Sequence, residues 1–390
     1  PKCGDERSRN LSSSYSPYKV RRRGSGIAEW HVQSGPESLK TKMDSKAFWT
    51  FWIPIGFVLV VYVVNRLIMG PCQQFDISDQ TGKTFVITGA SSGLGLETAR
   101  VLAMKGARVI MACRSMKKCK QVAEKAGINK LDTHCTSLEM SSLASIRAFA
   151  ATLQNTSIDV LVNNAGLMNV EPYQTTEDGH EMTMGVNHYG HFLLTQLLLP
   201  IIKGNGRIVT HSSAAAFFTA DRLPLSLLPE SMTTAKYNGW VVYGNTKLAN
   251  AYMSWELSHR LSESEDPRLQ SIRSYVVHPG YTSTNLQLEA RMLGYQIGNA
   301  LIGMNVKDGA LTQLAAATSD EEAFASSCTQ DVMIAPFFGL IGYPKPTITG
   351  LYDDARSFSV YEKSLKAVGL TLDEDAAPPS SVRAALLRGK

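Results

Sequence analysis

Along the middle of the chain, short apolar runs of strand character alternate with longer segments of helical period. Thr84-Phe85-Val86-Ile87-Thr88 is one such run; a turn containing Gly89, Gly93 and Gly95 follows, and Leu96 to Lys105 then reads as a helix. Ala107 to Ala112 reads as the next strand, Val160 to Val162 as another, and Arg207-Ile208-Val209 leads into a further strand end. This βαβ alternation shows no internal repeat. It predicts an α/β fold over residues 80–372, a single Rossmann-type doubly wound parallel sheet in one large domain.

The ends of the chain carry different patterns. Ala47 to Val64 is apolar apart from Thr50, and at about 1.5 Å per residue it reaches roughly 27 Å, close to the ~30 Å hydrocarbon core of a bilayer. Trp49, Trp52 and Tyr62 lie near its ends, with Lys46 and Arg66 flanking it. Residues 43–70 are therefore expected to form an N-terminal transmembrane anchor helix in the endoplasmic reticulum or another organelle membrane. A cleaved signal peptide and a buried helix are the alternatives, and Gly70-Pro71-Cys72 is a poor cleavage site. Residues 1–42 lack apolar periodicity and read as a disordered or non-native extension, because Met43 immediately precedes the anchor. Residues 373–390, with Pro378-Pro379-Ser380-Ser381, are expected to form a flexible tail.

A formal charge of +5 spread along 390 residues argues against a nucleic-acid partner. The six cysteines, at 3, 72, 113, 119, 135 and 328, have neither metal-site spacing nor the look of a disulfide framework. They suit a reducing compartment, and no metal site is expected.

Candidate chemistry lies in two places. Glycines between a strand and a helix let the backbone approach a pyrophosphate, which the free N–H groups and positive dipole end of the helix stabilise. The stretch Gly89, Ala90, Ser91, Ser92, Gly93, Leu94, Gly95 has the spacing Gly-x-x-x-Gly-x-Gly. The second strand ends in Cys113-Arg114, without the carboxylate that would favour NAD(H) at the ribose. Arg114 suits a 2′-phosphate, so NADP(H) is favoured. Downstream, Tyr243 and Lys247 stand four residues apart, on one face of a helix. An ammonium beside a phenol favours the phenolate and makes a proton donor suited to neutral pH.

Together with Asn163-Asn164-Ala165-Gly166, Gly185 to Phe192, Ser212-Ser213 and His278 to Thr284, these motifs resemble, in order, those of the short-chain dehydrogenase/reductase family. Within it, Asp178-Gly179-His180-Glu181, the run Asn187 to Thr195 and Thr246 to Asn250 resemble the retinol dehydrogenase-like group most. Protochlorophyllide reductases are also similar, although Ala249 stands where those of plants carry a cysteine. The resemblance implies that Ser213 hydrogen-bonds the substrate oxygen, Tyr243 donates the proton, Lys247 holds the nicotinamide ribose and lowers the Tyr243 pKa, and Asn187 kinks its helix and binds a relay water. It further implies cofactor contacts from Asn164, Ala165, Gly166, Pro279, Gly280, Thr282 and Thr284. Glu139 takes the place of the family's usual adenine-binding Asp, on a longer arm.

The implied activity is hydride transfer between the nicotinamide and a carbonyl or alcohol. Ala214 to Val242 makes a long connection before Tyr243, and Leu286 to Met304 is an apolar lid candidate. Beside an anchor at 47–64, these suggest a small lipophilic substrate such as a retinoid, steroid or long-chain aldehyde. A homodimer is the assembly the resemblance implies. The competing readings are a non-catalytic scaffold subunit and a light-driven protochlorophyllide reductase-like enzyme.

Overall fold

Strands whose two faces are both apolar can be satisfied only between two layers of helices. The computed structural model describes residues 76–219, 237–282, 304–320, 332–336 and 344–371. Eight strands form one sheet: β1 (Thr84–Thr88), β2 (Arg108–Cys113), β3 (Thr133–Ser137), β4 (Ile158–Asn163), β5 (Ile202–His211), β6 (Arg273–Val277), β7 (Val332–Ala335) and β8 (Lys345–Ile348), in the order β3-β2-β1-β4-β5-β6-β7-β8. Pairing is parallel from β3 through β7, and β8 closes one edge antiparallel to β7. The expected parallel α/β sheet is present.

Side chains alternate across it. Val86, Ile110, Leu161, Ile208 and Val276 pack on one face with Phe149, Phe192 and Trp255. Phe85, Val109, Met111, Val162 and Val277 pack on the other with Leu102 and Leu314. The helices are α1 (Gly93–Met104), α2 (Met116–Lys125), α3 (Leu143–Thr152), α4 (Gly190–Leu198), α5 (Gly239–Ser262), α6 (Pro267–Ser271), α7 (Val306–Thr318) and α8 (Asp354–Ala367), and these partners come from α1, α3, α4, α5 and α7. The helix read at Leu96 begins three residues earlier, because the glycine turn forms its first turn.

β1 pairs with β2 on one side and with β4 on the other. Strand order reverses there, so a crevice opens at the carboxyl ends of β1 and β4, where open α/β sheets bind ligands. The expectations for 1–42, for the anchor at 47–64, for the lid before Met304, for the tail at 373–390 and for Thr284 lie outside the described residues. Among the described residues no helix is long and apolar enough to cross a membrane.

One expectation is corrected. Cys119 in α2 and Cys135 in β3 form a disulfide, with Cα atoms 6.0 Å apart. A separation of 16 residues gives no sign of this; the packing of α2 onto β3 creates the proximity. The argument from unpaired cysteines to a reducing compartment therefore fails. Mass spectrometry of alkylated protein should detect two additional reactive thiols after reduction. Closing a loop of this length stabilises by up to about 3 kcal/mol, so Cys119→Ala/Cys135→Ala should lower the melting temperature by several degrees.

Candidate active site

The glycine loop leaves β1 through Gly89 at φ 67° and enters α1 through Gly93 at φ 54°, both in the left-handed region that glycine tolerates. Two of its glycines serve close packing. A Cβ on Gly89 would lie 2.9 Å from the Ala165 Cα, and one on Gly95 would lie 2.5 Å from the Asn164 Nδ2. The loop and the segment after β4 thus touch backbone to backbone.

The first turn of α1 is left open. Its N-cap, Ser92, makes no side-chain cap and no acidic residue stands in that turn. By contrast Ser115, Ser142, Asn238, Asn305 and Asp353 each accept a backbone N–H at the starts of α2, α3, α5, α7 and α8. Uncapped N–H groups at the positive end of a helix dipole, reached from a cavity through Ser91, Ser92, Gly93 and Leu94, suit an anionic group such as a pyrophosphate. The donor set fits a dinucleotide.

Thr88 holds the opposite wall. Its Oγ1 accepts the backbone N–H groups of Asn164 and Ala165, each at 2.9 Å, while the Asn164 Nδ2 donates to the Thr88 carbonyl at 2.8 Å. His191 Nδ1 lies 3.0 Å from the Asn187 carbonyl, which can only accept, so Nδ1 carries the proton and Nε2 accepts from the Thr88 hydroxyl at 2.9 Å. Burial holds His191 down to about 3, so it is neutral at physiological pH.

Asn187 lies within a π-helical turn over Gly185–Tyr189 that precedes α4. Its Oδ1 accepts from the Leu167 N–H at 2.7 Å, and its Nδ2 donates to the Leu167 carbonyl at 2.8 Å and to Thr246 Oγ1 at 3.1 Å. The main-chain carbonyl also receives Asn250 Nδ2 at 3.0 Å. Protein groups thus engage the side chain and carbonyl of Asn187, and the residue lies behind the cavity wall.

Ser213 follows the end of β5, and its Oγ accepts from Ala215 N at 3.2 Å, setting the 3-10 turn Ala214–Phe218. Tyr243 and Lys247 lie one turn apart on α5, with the ammonium 5.6 Å from the phenol ring centroid. Lys247 is buried, and desolvation alone lowers its pKa to about 8. His211, held to about 3 by burial, contacts Gln313 Oε1 through Nε2, and Gln313 Nε2 donates to Leu94 O at 3.0 Å. This ties the end of β5 to the glycine loop.

A cavity of about 680 Å³ joins these groups. Its lining includes Gly89, Ser91, Ser92, Gly93, Leu94, Arg114, Glu139, Asn164, Ala165, Gly166, Ser213, Tyr243, Lys247, Pro279, Gly280 and Thr282. Ala90, Gly95 and Asn187 support it from behind. Thr282 donates to the Pro279 carbonyl at 2.8 Å, shaping the turn in which Gly280 takes φ 73°. Leu167, Met168, Phe218, Trp240 and Val241 also line the cavity.

A cavity of this kind, at the switch point of a doubly wound sheet, has the form of a dinucleotide-binding crevice. The chain belongs to the short-chain dehydrogenase/reductase family: a family model described as short chain dehydrogenase matches residues 83–224. It is similar to retinol dehydrogenase 13 of Homo sapiens, 39% identical over 228 residues covering 57% of this chain and 66% of that protein. It is also similar to retinol dehydrogenase 11 of Homo sapiens, 40% identical over 211 residues, 53% of this chain and 63% of the other. In both cases the match spans just under two thirds of the relative. A solved structure of an uncharacterised protein from Mycobacterium paratuberculosis is 34% identical, covers 76% of this chain and 97% of its own, and superposes with a TM-score of 0.62.

Sequence reasoning missed the supporting residues Thr88, His191, His211 and Gln313. The four-residue spacing from Asn187 to His191 was a readable signal, since it places the ring beneath that carbonyl. Gln313 meets His211 across 102 residues, and nothing local announces it.

Thr88→Val should leave two N–H groups without their acceptor and destabilise the fold by about 2–3 kcal/mol in denaturant titration. Lys247 gives a pH test. Below about pH 8 it is charged in both folded and unfolded chain, and burial opposes folding in full; between about 8 and the ordinary 10.5 the folded form sheds the proton first, so that cost shrinks as pH rises. Lys247→Met should therefore be more stable than wild type at pH 7, by up to about 3 kcal/mol, with the gap narrowing between pH 8 and 10.5.

Proposed function

We propose that this protein is an NADP(H)-dependent oxidoreductase that transfers hydride between the nicotinamide and a carbonyl or alcohol of a small lipophilic substrate. The observation that carries the reading is one continuous cavity that runs from the uncapped start of α1 to Ser213, Tyr243 and Lys247. When bound, the cofactor supplies or accepts the hydride.

The residues of the chain do the rest. Gly89, Ser91, Ser92, Gly93 and Leu94 offer backbone to the pyrophosphate, and Asn164, Ala165 and Gly166 form the facing wall. Arg114 and Lys118 line the end nearest β2, where they suit a 2′-phosphate. Pro279, Gly280 and Thr282 border the nicotinamide end. The Ser213 hydroxyl donates to the oxygen on which negative charge develops, and Tyr243 delivers the proton to it. Lys247, buried and cationic below about pH 8, favours the phenolate form of Tyr243 and binds ribose hydroxyls. Asn187 acts from behind the wall, holding Leu167 and Thr246 in place.

Leu167, Met168, Phe218, Trp240 and Val241 give the substrate an apolar wall, which with the similarity to retinol dehydrogenases supports a hydrophobic aldehyde, ketone or alcohol. The apolar run 47–64 would tether the domain to a membrane where such substrates concentrate.

The test is NADPH fluorescence and oxidation with a panel of retinal, steroid ketones and long-chain aldehydes. Turnover on one class is expected, with Tyr243→Phe retaining NADPH binding while kcat falls at least a hundredfold. Binding without turnover across the panel would favour a scaffold role, and absence of binding would overturn the reading.

A further inference from the structure

Glu139 is the one carboxylate among the described residues that line the cavity, and its position is fixed. Its Oε1 accepts from the Ser141 N–H at 3.1 Å and from the Ser141 hydroxyl at 2.9 Å, and its own N–H donates to Ser145 Oγ at 3.0 Å. The other oxygen, Oε2, lies 3.9 Å from Arg114 Nε. Arg114 follows β2 and Glu139 follows β3, and the backbone ladder from Cys113 to Ser137 brings these two strand ends side by side. Arg114 is 79% exposed in its side chain, so it is free to turn between the carboxylate and a ligand. Lys118 lines the same end of the cavity.

From this juxtaposition we infer that Glu139 is a coenzyme-specificity residue, acting as the counter-charge to Arg114 and thereby limiting the preference for a phosphorylated over an unphosphorylated adenosine ribose. The inference rests on the NADP(H) reading above. A 2′-phosphate carries about −1.5 to −2 charges at neutral pH and must draw Arg114 away from a carboxylate that repels it. A free ribose hydroxyl meets no such opposition. Glu139 therefore weakens the binding of NADPH more than that of NADH. Because the pair is solvated, the effect is several-fold in affinity, and it declines with salt.

The experiment measures Kd for NADPH and NADH by fluorescence on the wild type, Glu139→Gln, Glu139→Ala and Arg114→Gln at low and high salt. Gln keeps an oxygen for Ser141 and removes only the charge. The expected result is that Glu139→Gln and Glu139→Ala both raise the NADPH:NADH affinity ratio about threefold or more at low salt, with the gain diminishing at high salt. Arg114→Gln should lower the ratio and abolish the effect of Glu139→Gln in the double variant. If Glu139→Gln leaves the ratio unchanged while Glu139→Ala weakens both coenzymes equally, the residue serves only as an adenine acceptor and the inference is overturned. Circular dichroism identifies any variant that has failed to fold; Glu139→Gln then stands as the deciding variant. Wild type that binds NADPH no more tightly than NADH would instead overturn the underlying NADP(H) reading, a distinct outcome from an unmoved ratio.

Discussion

The carboxamide and carbonyl of Asn187 join three segments that lie far apart in the chain. The amide closes on both the N–H and the C=O of Leu167, reaches Thr246 on α5, and the carbonyl above it receives His191 and Asn250. A π-helical turn makes this geometry available, because one extra residue in the turn releases a carbonyl from the regular ladder. The wall after β4, the π-helical turn and the helix of Tyr243 and Lys247 are held in register by these bonds. A buried polar network of this kind rigidifies when every member is satisfied, and here its members also set the position of the cavity.

Around that anchor the electrostatics are one-sided. Lys247, His191 and His211 are buried within reach of one another, and each is pushed toward its neutral form by desolvation, with Lys247 adding to the effect on both histidines. The two histidines therefore serve as neutral hydrogen-bonding parts, and Lys247 is the one of the three that keeps its charge at neutral pH. At the opposite end, α1 starts without a side-chain cap while α2, α3, α5, α7 and α8 each spend a Ser, Asn or Asp on theirs. A helix end left without its own partner is costly unless a ligand completes it. The two ends of the cavity thus call for different parts of one elongated, anionic molecule.

Packing carries the rest. Gly89 and Gly95 are read most naturally from sequence as room for a ligand, yet a side chain at either would collide with Ala165 or Asn164. Part of the glycine signature is thus a demand of the protein on itself, and only Ser91, Ser92, Gly93 and Leu94 present the open helix start to the cavity. The disulfide between Cys119 and Cys135 fastens α2 to β3 next to the strand ends that carry Arg114 and Glu139, so that end of the cavity rests on a cross-linked base.

The parallel sheet is legible in the sequence, since strand-period runs separated by helical segments have one economical arrangement, and so are the site's chemical groups, since Tyr243 and Lys247 share a helix face and the glycine turn follows a strand. These are local periodicities, and local periodicity is what a sequence displays. Only folding reveals that Thr88 and Gln313 brace the cavity wall, that Glu139 turns its carboxylate to Ser141 and Arg114, that Asn187 spends its polar groups on the protein, and that two scattered cysteines meet. Each of these depends on which elements lie side by side after folding. Contacts across tens or hundreds of residues are set by strand order and helix packing, and no spacing in the chain encodes them.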